Sequence, residues 1–148
     1  MLPRARQPVF DDDDVARAEA ALRALGASFQ DWIADEVAKV HAAREDAQRA
    51  GWSHEGLTAL YEAAHDAKGL GATYDYPFVT RLAASLCRLI ETPEGKAAAC
   101  AAPALIHAHV DAMRAAVRDR VRTDEPPAAR ALIEALEARV RALGVAPR

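Results

Sequence analysis

One helical face in the first half of the chain carries residue types that suit phosphoryl chemistry. At about 100° per residue, His65 points away from the apolar residues of its own segment. It shares its face with Glu62, Lys68, Gly69 and Ala72. Neutral imidazole is a competent nucleophile near neutral pH. We therefore expect His65 to be a solvent-exposed nucleophile in the middle of a helix.

Two neighbours of His65 on this face are unusual choices in this sequence. The chain has three lysines against 16 arginines, and the compact ammonium of Lys68 suits an anionic group on the neighbouring ring. A glycine inside a helix costs about 1 kcal/mol relative to alanine, so Gly69 calls for a reason in an alanine-rich chain. Because Gly69 has no side chain and Ala72 has a small one, the backbone of a second protein can approach this face closely. The combination favours phosphoryl capture over a surface histidine with chance neighbours.

The other histidines are interpreted as structural. His107 and His109 are two positions apart on a helix, so they project in nearly opposite directions and do not share a metal ion. His109 lies on an apolar stripe, which favours a hydrogen-bonded histidine in the core. His41 and His54 have no partner at ligand spacing. We therefore predict no metal site.

The elements that position His65 are predicted to be helices. Alanine accounts for 37 of the 148 residues, and alanine has the highest helix propensity. Proline, glycine and small polar residues divide the chain into six helical segments, over about residues 15–25, 28–49, 53–70, 77–90, 104–121 and 128–143. Gly26 is expected to end the first, Ser28 to cap the second and Asp75 to cap the fourth. Residues between 91 and 103 are expected to form a loop.

These segments predict an all-α fold, an antiparallel up-down bundle in a single domain over residues 1–148. Four helices within about residues 28–121 form its core, and the helices near 15–25 and 128–143 are additions packed against it. The acidic run from Asp11 to Asp14 is interpreted as favourable charge at a helix N-terminus. Consecutive carboxylates on a helix point in different directions, which disfavours a metal site there.

Charge and composition exclude several classes of protein. The formal net charge is −3, which is unlike the basic footprint of a nucleic-acid-binding protein. Cys87 and Cys100 fit neither a metal spacing nor a disulfide framework, and Cys87 is interpreted as a small core side chain. No apolar run approaches membrane-spanning length, and no signal-peptide pattern is present. We expect a cytoplasmic protein without membrane or nucleic-acid partners.

The segment around His65 resembles the motif of histidine phosphotransfer (HPt) domains of bacterial multi-step phosphorelays. That motif has a histidine, two further residues, Lys-Gly and then small residues leading into a turn. Residues 65–73 of this chain read HDAKGLGAT. The similarity continues through residues 76–89, and residues 105–113 resemble a helix of the alphaproteobacterial branch. The resemblance covers about residues 28–121, and the histidine motif is its most specific part.

The resemblance implies a role for each motif residue. His65 would accept the phosphoryl group, Lys68 would stabilise it, and Gly69 would admit the partner protein. Two positions depart from the family pattern. Asp75 stands where many such domains have glycine, and aspartate tolerates turn geometry, so we expect the fold to be retained. Leu70 replaces a residue that is often small, which affects the choice of partner.

Further residues are candidates for contact with a receiver domain. Arg81, Ser85 and Arg88 recur at i, i+4 and i+7 away from the apolar stripe of their helix. They would present positive charge to an acidic receiver, and Glu62 would contribute from the helix of His65. A solvated arginine face in an arginine-rich protein explains the same pattern equally well.

The function implied by the resemblance is that of a phosphorelay intermediate. Its partners would be the receiver domain of a hybrid histidine kinase and a response regulator. Mg²⁺ would belong to the receiver, so no cofactor is expected in this chain. No glycine-rich ATP site is present, and we expect neither enzymatic nor autokinase activity.

Two alternatives remain open at the level of sequence. One is a phosphorylation-independent, receiver-binding helical module that uses the same surface. The other is a helical protein that binds a small ligand or metal inside the bundle. The second alternative requires a concave pocket with converging polar groups. It is disfavoured because the inward residues are numerous enough to fill the core.

Overall fold

The computed structural model describes residues 11–144, which form six α-helices and no strand. The helices are α1 (Asp12–Arg49), α2 (His54–Gly71), α3 (Pro77–Glu91), α4 (Pro93–Ala101), α5 (Ala104–Arg118) and α6 (Pro127–Ala142). The all-α prediction is confirmed over this range. Residues 1–10 and 145–148 of the predicted domain lie outside the described residues. Within residues 11–144, no helix has the length and apolar character needed to cross a membrane.

The first two predicted helices are a single helix, α1, of 38 residues. The predicted separate helix over 15–25 is therefore wrong, and Ser28 lies inside α1 instead of capping a second helix. Gly26 does not adopt the positive φ of a helix-ending glycine. One glycine costs about 1 kcal/mol, and interrupting the helix would leave two more ends with unsatisfied backbone groups. Continuation through Gly26 is therefore favoured.

The acidic run lies at the start of α1, as predicted, and it also supplies the N-terminal cap. The side chain of Asp11 accepts a hydrogen bond from the backbone N–H of Asp14 at 2.8 Å. The side chain of Asp14 accepts in return from the backbone N–H of Asp11, which completes a capping box. The carboxylates of the first turn also complement the positive end of the helix dipole.

A short helix, α4, occupies residues 93–101, where the sequence pattern predicted a loop. Thr92 is its N-cap, and the Thr92 hydroxyl accepts a hydrogen bond from the Gly95 N–H at 3.0 Å. Pro93 occupies the first turn, where its missing N–H costs nothing. The threonine and proline that were interpreted as loop residues are the start signal of a helix. A Cβ on Gly95 would lie 2.0 Å from the carbonyl oxygen of Leu89, so α4 packs tightly on the end of α3.

All six helices contribute buried residues to one hydrophobic core. Helix α1 contacts α2 and α5, and α3 also contacts both α2 and α5. Helix α4 packs on α3, and α6, which matches the predicted C-terminal helix, packs on α3 and α5. Nine of the 15 residues of α3 are buried, which leaves this helix little free surface.

The turn between α2 and α3 depends on Asp75. Its φ is +65°, in the left-handed region that aspartate tolerates better than most residues. The predicted tolerance of aspartate for this turn is thus confirmed, but its predicted capping role is wrong. The N-cap of α3 is Tyr76, without a side-chain hydrogen bond. The Asp75 carboxylate instead accepts a hydrogen bond from Arg122 at 2.6 Å, which joins the turn to the segment after α5.

A buried polar pair lies at the contact between α3 and α5. Ser85 and His109 are both fully buried, and Ser85 Oγ lies 2.8 Å from His109 Nε2. His109 Nδ1 lies 2.7 Å from the carbonyl oxygen of Leu105, which can only accept, so Nδ1 carries the proton of the neutral ring. Nε2 is then the acceptor for the Ser85 hydroxyl. The prediction of a hydrogen-bonded histidine in the core is confirmed.

We expect the neutral state of His109 to make folding stability depend on pH. Burial lowers the pKa of His109, against smaller opposing effects of the Leu105 carbonyl and Glu137. As the pH falls below about 6.5, His109 is therefore protonated in the unfolded state at a higher pH than in the folded state. The free energy of unfolding should decrease by up to about 1.4 kcal/mol per pH unit, until His109 titrates in the folded state as well.

Urea unfolding at a series of pH values measures this dependence. The double variant Ser85→Ala/His109→Leu removes both polar partners and should lose this part of the slope. The variant His54→Gln changes an exposed histidine at the start of α2 and should keep it. An equal slope in the double variant and the native chain would contradict the assignment.

Candidate functional site

Helix α2 presents His65 to solvent, as the sequence predicts. The helix begins at the N-cap Ser53, whose hydroxyl accepts a hydrogen bond from the Gly56 N–H at 3.1 Å. One face of the helix is anchored in the core by the buried residues Leu57, Leu60, Ala64, Ala67 and Gly71. His65 is exposed on the opposite side. The imidazole is therefore carried by a rigid helix and is accessible to a second protein.

The residues expected to share the face of His65 do so. Glu62, Gly69 and Ala72 are exposed, and Lys68 is half-buried. Residues three and four apart on a helix are surface neighbours, with Cβ atoms about 5–6 Å apart. Lys68 and Gly69 are thus both adjacent to the imidazole.

An aromatic neighbour of His65 was not selected from the sequence. The ring of Tyr61 lies one turn before His65, with ring centroids 6.0 Å apart and an angle of 33° between the planes. Tyr61 is half-buried, so its ring is held between the helix surface and solvent. This contact restricts the orientations open to the imidazole. The i, i+4 spacing was the available signal, because such pairs meet on a helix surface.

Lys68 lies where α2 meets α3. Burial raises the pKa of the Cys87 thiol on α3 to about 11, and the positive charge of Lys68 opposes this shift. A thiol with that pKa is protonated near neutral pH. Cys87 therefore does not neutralise Lys68 as a thiolate, and the ammonium remains available to an anion at the surface.

A second lysine lies on the neighbouring helix, α1. Lys39 donates a hydrogen bond to Glu36 at 3.0 Å, and this bond is the main cause of a raised pKa of Lys39. The charge of Asp66, the residue after His65, also raises it. The surface beside His65 thus combines both signs of charge, with a lysine on each of two helices.

The two glycines after His65 have different structural reasons. A Cβ added at Gly69 would meet no heavy atom within 4 Å outside its own helix. A Cβ added at Gly71 would lie 2.5 Å from the Thr80 hydroxyl and 2.8 Å from the Thr80 backbone nitrogen. Close packing of α2 on α3 thus requires glycine at 71. At position 69, by contrast, packing within the chain does not require glycine.

The C-terminal end of α2 is joined to α3 by one hydroxyl group. Thr80 Oγ1 donates to the carbonyl oxygen of Lys68 at 2.9 Å and accepts from the backbone N–H of Ala72 at 2.8 Å. The backbone around Lys68 and Gly69 is thereby held against α3. Sequence reasoning missed this residue, because a threonine in the first turn of a helix has no distinctive pattern.

The predicted docking residues on α3 are not presented as a group. Ser85 is fully buried, so its assignment to a docking surface is wrong. Arg81 forms two hydrogen bonds to Glu137 and one of 2.8 Å to Asp124, so its guanidinium joins α3 to α6 and the segment before it. Arg88 is half-buried. The cause is the central position of α3, which is covered by α2, α5 and α6.

The remaining histidines make their side-chain contacts with residues other than His65. His107 packs edge-on against Trp52, with ring centroids 5.5 Å apart. His41 contacts Arg44 and Glu45 on its own helix. Across residues 11–144, the structure contains no group of three or more histidine, cysteine or acidic side chains suited to hold a metal ion.

Comparison with known proteins found no matching family model, no matching curated protein and no matching solved structure. What the chain does is therefore inferred from its own residues. Of these, His65 and its neighbours on α2 combine accessibility with a nucleophilic atom and an adjacent cation.

Proposed function

We propose that this protein is a histidine phosphotransfer protein that relays a phosphoryl group through His65. It takes the group from the receiver-domain aspartate of a hybrid histidine kinase and passes it to a response regulator. The observation that carries the proposal is the open surface at Gly69, where a helix bears glycine without any packing reason, beside an exposed histidine and a lysine. That arrangement suits a site that a second protein must approach closely.

The packing of the helices supports the same function. The contacts of α1 with α2, α2 with α3, α3 with α5 and α5 with α1 form a closed ring. We interpret this ring as an antiparallel four-helix bundle, in which consecutive core helices run in opposite directions. Such a bundle holds the middle of α2 rigid and leaves one of its faces to solvent. The transfer then needs only the docking of two preformed surfaces.

The chemical step is a substitution at phosphorus. The unprotonated nitrogen of a neutral His65 ring attacks the phosphorus of the aspartyl phosphate and forms an N–P bond. The bond between phosphorus and the aspartate oxygen breaks, and the carboxylate leaves with its electron pair. The other ring nitrogen keeps its proton. Lys68 offsets the negative charge of the phosphoryl oxygens, and docking of the receiver supplies the in-line geometry.

Partner contact is assigned to the exposed residues around His65. Glu62, Gly69 and Ala72 form the near part of this surface, and Arg88 contributes from α3 where its side chain reaches solvent. Mg²⁺ belongs to the receiver's acidic site, and this chain supplies no cofactor. The protein acts in the cytoplasm as a carrier without ATP-dependent activity of its own.

A transfer assay with purified receiver domains tests the proposal. Receivers of hybrid kinases are labelled by their own kinases with radioactive ATP and then mixed with this chain. We expect label to move to the chain from at least one receiver, to persist in alkali and to be lost in acid. ATP alone should transfer none. Receivers that bind the chain without giving up label would favour a phosphorylation-independent binding module instead.

A further inference from the structure

The N-terminal part of α1 extends beyond the helices that form the core. This segment, residues 12–27, is called the arm. Every residue of the arm is exposed except Asp14, which is half-buried. At 1.5 Å per residue the arm is about 24 Å long. A helix of this length is marginal in water without tertiary contacts, because helices in proteins gain most of their stability from packing an apolar face.

The arm carries an apolar stripe that continues onto the first core turns of α1. Its residues alternate at spacings of three and four, which is the a and d pattern of a coiled coil. We call this stripe the seam, and it consists of Val15, Ala18, Leu22, Leu25, Phe29 and Trp32. Leu22 is 69% exposed, and Val15, Leu25 and Trp32 are each exposed by nearly half. Phe29 is half-buried, but from Val15 to Leu25 the seam has no covering element among the described residues.

We propose that the seam pairs with the seam of a second copy of this chain in an antiparallel two-stranded coiled coil. This inference does not rest on the proposed phosphotransfer function. The arms of the two subunits would overlap, with one bundle at each end. Each arm would cover the aromatic cluster where the arm of the other subunit joins its bundle. In that cluster the ring centroid of Tyr74 lies 5.5 Å from that of Trp32 and 5.7 Å from that of Phe29.

Side-chain sizes along the seam are complementary in the antiparallel register. In that register Leu22 faces Leu25 of the partner subunit near the two-fold axis. The small Ala18 faces Phe29 of the partner subunit, and Val15 faces Trp32 of the partner subunit. Each aromatic side chain thus meets a smaller one, as dense packing of a two-stranded interface requires. A parallel pairing would instead set like against like, with the two tryptophans together and the two alanines together.

The charges beside the seam favour the same orientation. In a parallel pair, Asp14 would meet Glu19 of the partner subunit at flanking g and e positions, and these charges repel. In the antiparallel pair the flank that carries Asp12 and Glu19 faces the corresponding flank of the partner. A cleft of about 600 Å³ lies on that flank, between α1, the turn from α2 to α3 and the segment after α5. Its lining includes Arg120 together with two arginines that are paired within the chain, Arg23 with Glu19 and Arg122 with Asp75.

The molar mass of the full chain in solution tests the interface. Sedimentation equilibrium from micromolar to millimolar protein should show a dimer of twice the 15.9 kDa chain mass. Leu22→Glu places a charge in the seam without touching the core and should weaken dimerisation by about 100-fold or more. Ala20→Glu is the matched control, because residue 20 is exposed on the opposite face of the arm. A monomer at all concentrations, or equal dimerisation of both variants, would overturn the proposal.

Disulfide formation tests the orientation. In a Cys100→Ser background, a mixture of Val15→Cys chains and Trp32→Cys chains should form a cross-linked heterodimer under mild oxidation. Val15→Cys chains alone should remain uncross-linked, since in the antiparallel pair the two residues 15 lie about 25 Å apart. Efficient cross-linking of Val15→Cys with itself would overturn the antiparallel arrangement.

Discussion

Replacing His65 with glutamine should lower phosphoryl transfer to this chain by at least about 1,000-fold, the scale on which loss of a nucleophile slows a reaction that depends on it. Glutamine keeps a polar side chain of similar length but has no nitrogen lone pair able to attack phosphorus. His65 is exposed and outside the core, so the substitution should leave the free energy of unfolding nearly unchanged. Transfer rates from a labelled receiver and urea unfolding curves measure the two effects.

The matched control for this variant is His54→Gln. His54 is also exposed and lies on the same helix, at its first residue. Its replacement should leave transfer unchanged, because no motif residue is altered. Transfer of label to His65→Gln at the native rate, or an equal loss of transfer in both histidine variants, would contradict a role of His65 as the phosphoacceptor.

Alanine substitutions at Gly69 and Gly71 should change stability in opposite directions. Gly69→Ala should raise the free energy of unfolding by about 0.5–1 kcal/mol, because the added Cβ meets open space and alanine has the higher helix propensity. Gly71→Ala should lower it by about 1–3 kcal/mol. There the Cβ would approach the backbone nitrogen of Thr80 at 2.8 Å, and α2 and α3 would have to separate.

The effect of Gly69→Ala on transfer should be the reverse of its effect on stability. The methyl group would enter the space through which the partner's backbone approaches His65, and transfer should slow by about 10- to 100-fold. Transfer time courses with the same labelled receiver, quenched at a series of times, measure this loss. A more stable Gly69→Ala variant that transfers at the native rate would show that the open surface is not used for docking.

The site on α2 was predictable because its signals are local. The apolar residues of α2 recur at helical spacing, so the direction of His65 follows from the sequence alone. The difference between Gly69 and Gly71 was not predictable. It depends on Thr80 of the next helix, which approaches one glycine and not the other.

The errors in the fold have equally specific causes. Gly26 was predicted to end a helix, but a helix-ending glycine commonly takes up positive φ, and Gly26 does not. Thr92 and Pro93 were interpreted as loop residues, although a threonine cap followed by proline is also the start of a helix. In both cases one local pattern is compatible with two structures, and the flanking alanines favour the helix.

Ser85 illustrates a limit of periodicity on a central helix. Its position away from the main apolar stripe predicted exposure, but α3 is covered on several sides and α5 supplies His109 as a buried partner. The pairing joins residues 24 positions apart, so no single helical pattern contains it. The same coverage gives Arg81 acidic partners at Asp124 and Glu137.

The most direct test of the central claim is to locate the phosphoryl group on the chain. The protein is incubated with a phosphorylated receiver, digested at mildly alkaline pH and analysed by fragmentation mass spectrometry. We predict one added phosphoryl group, carried by His65 in the peptide that also contains Lys68 and Gly69. A phosphoryl group on any other residue, or transfer that proceeds equally in the His65→Gln variant, would contradict the account.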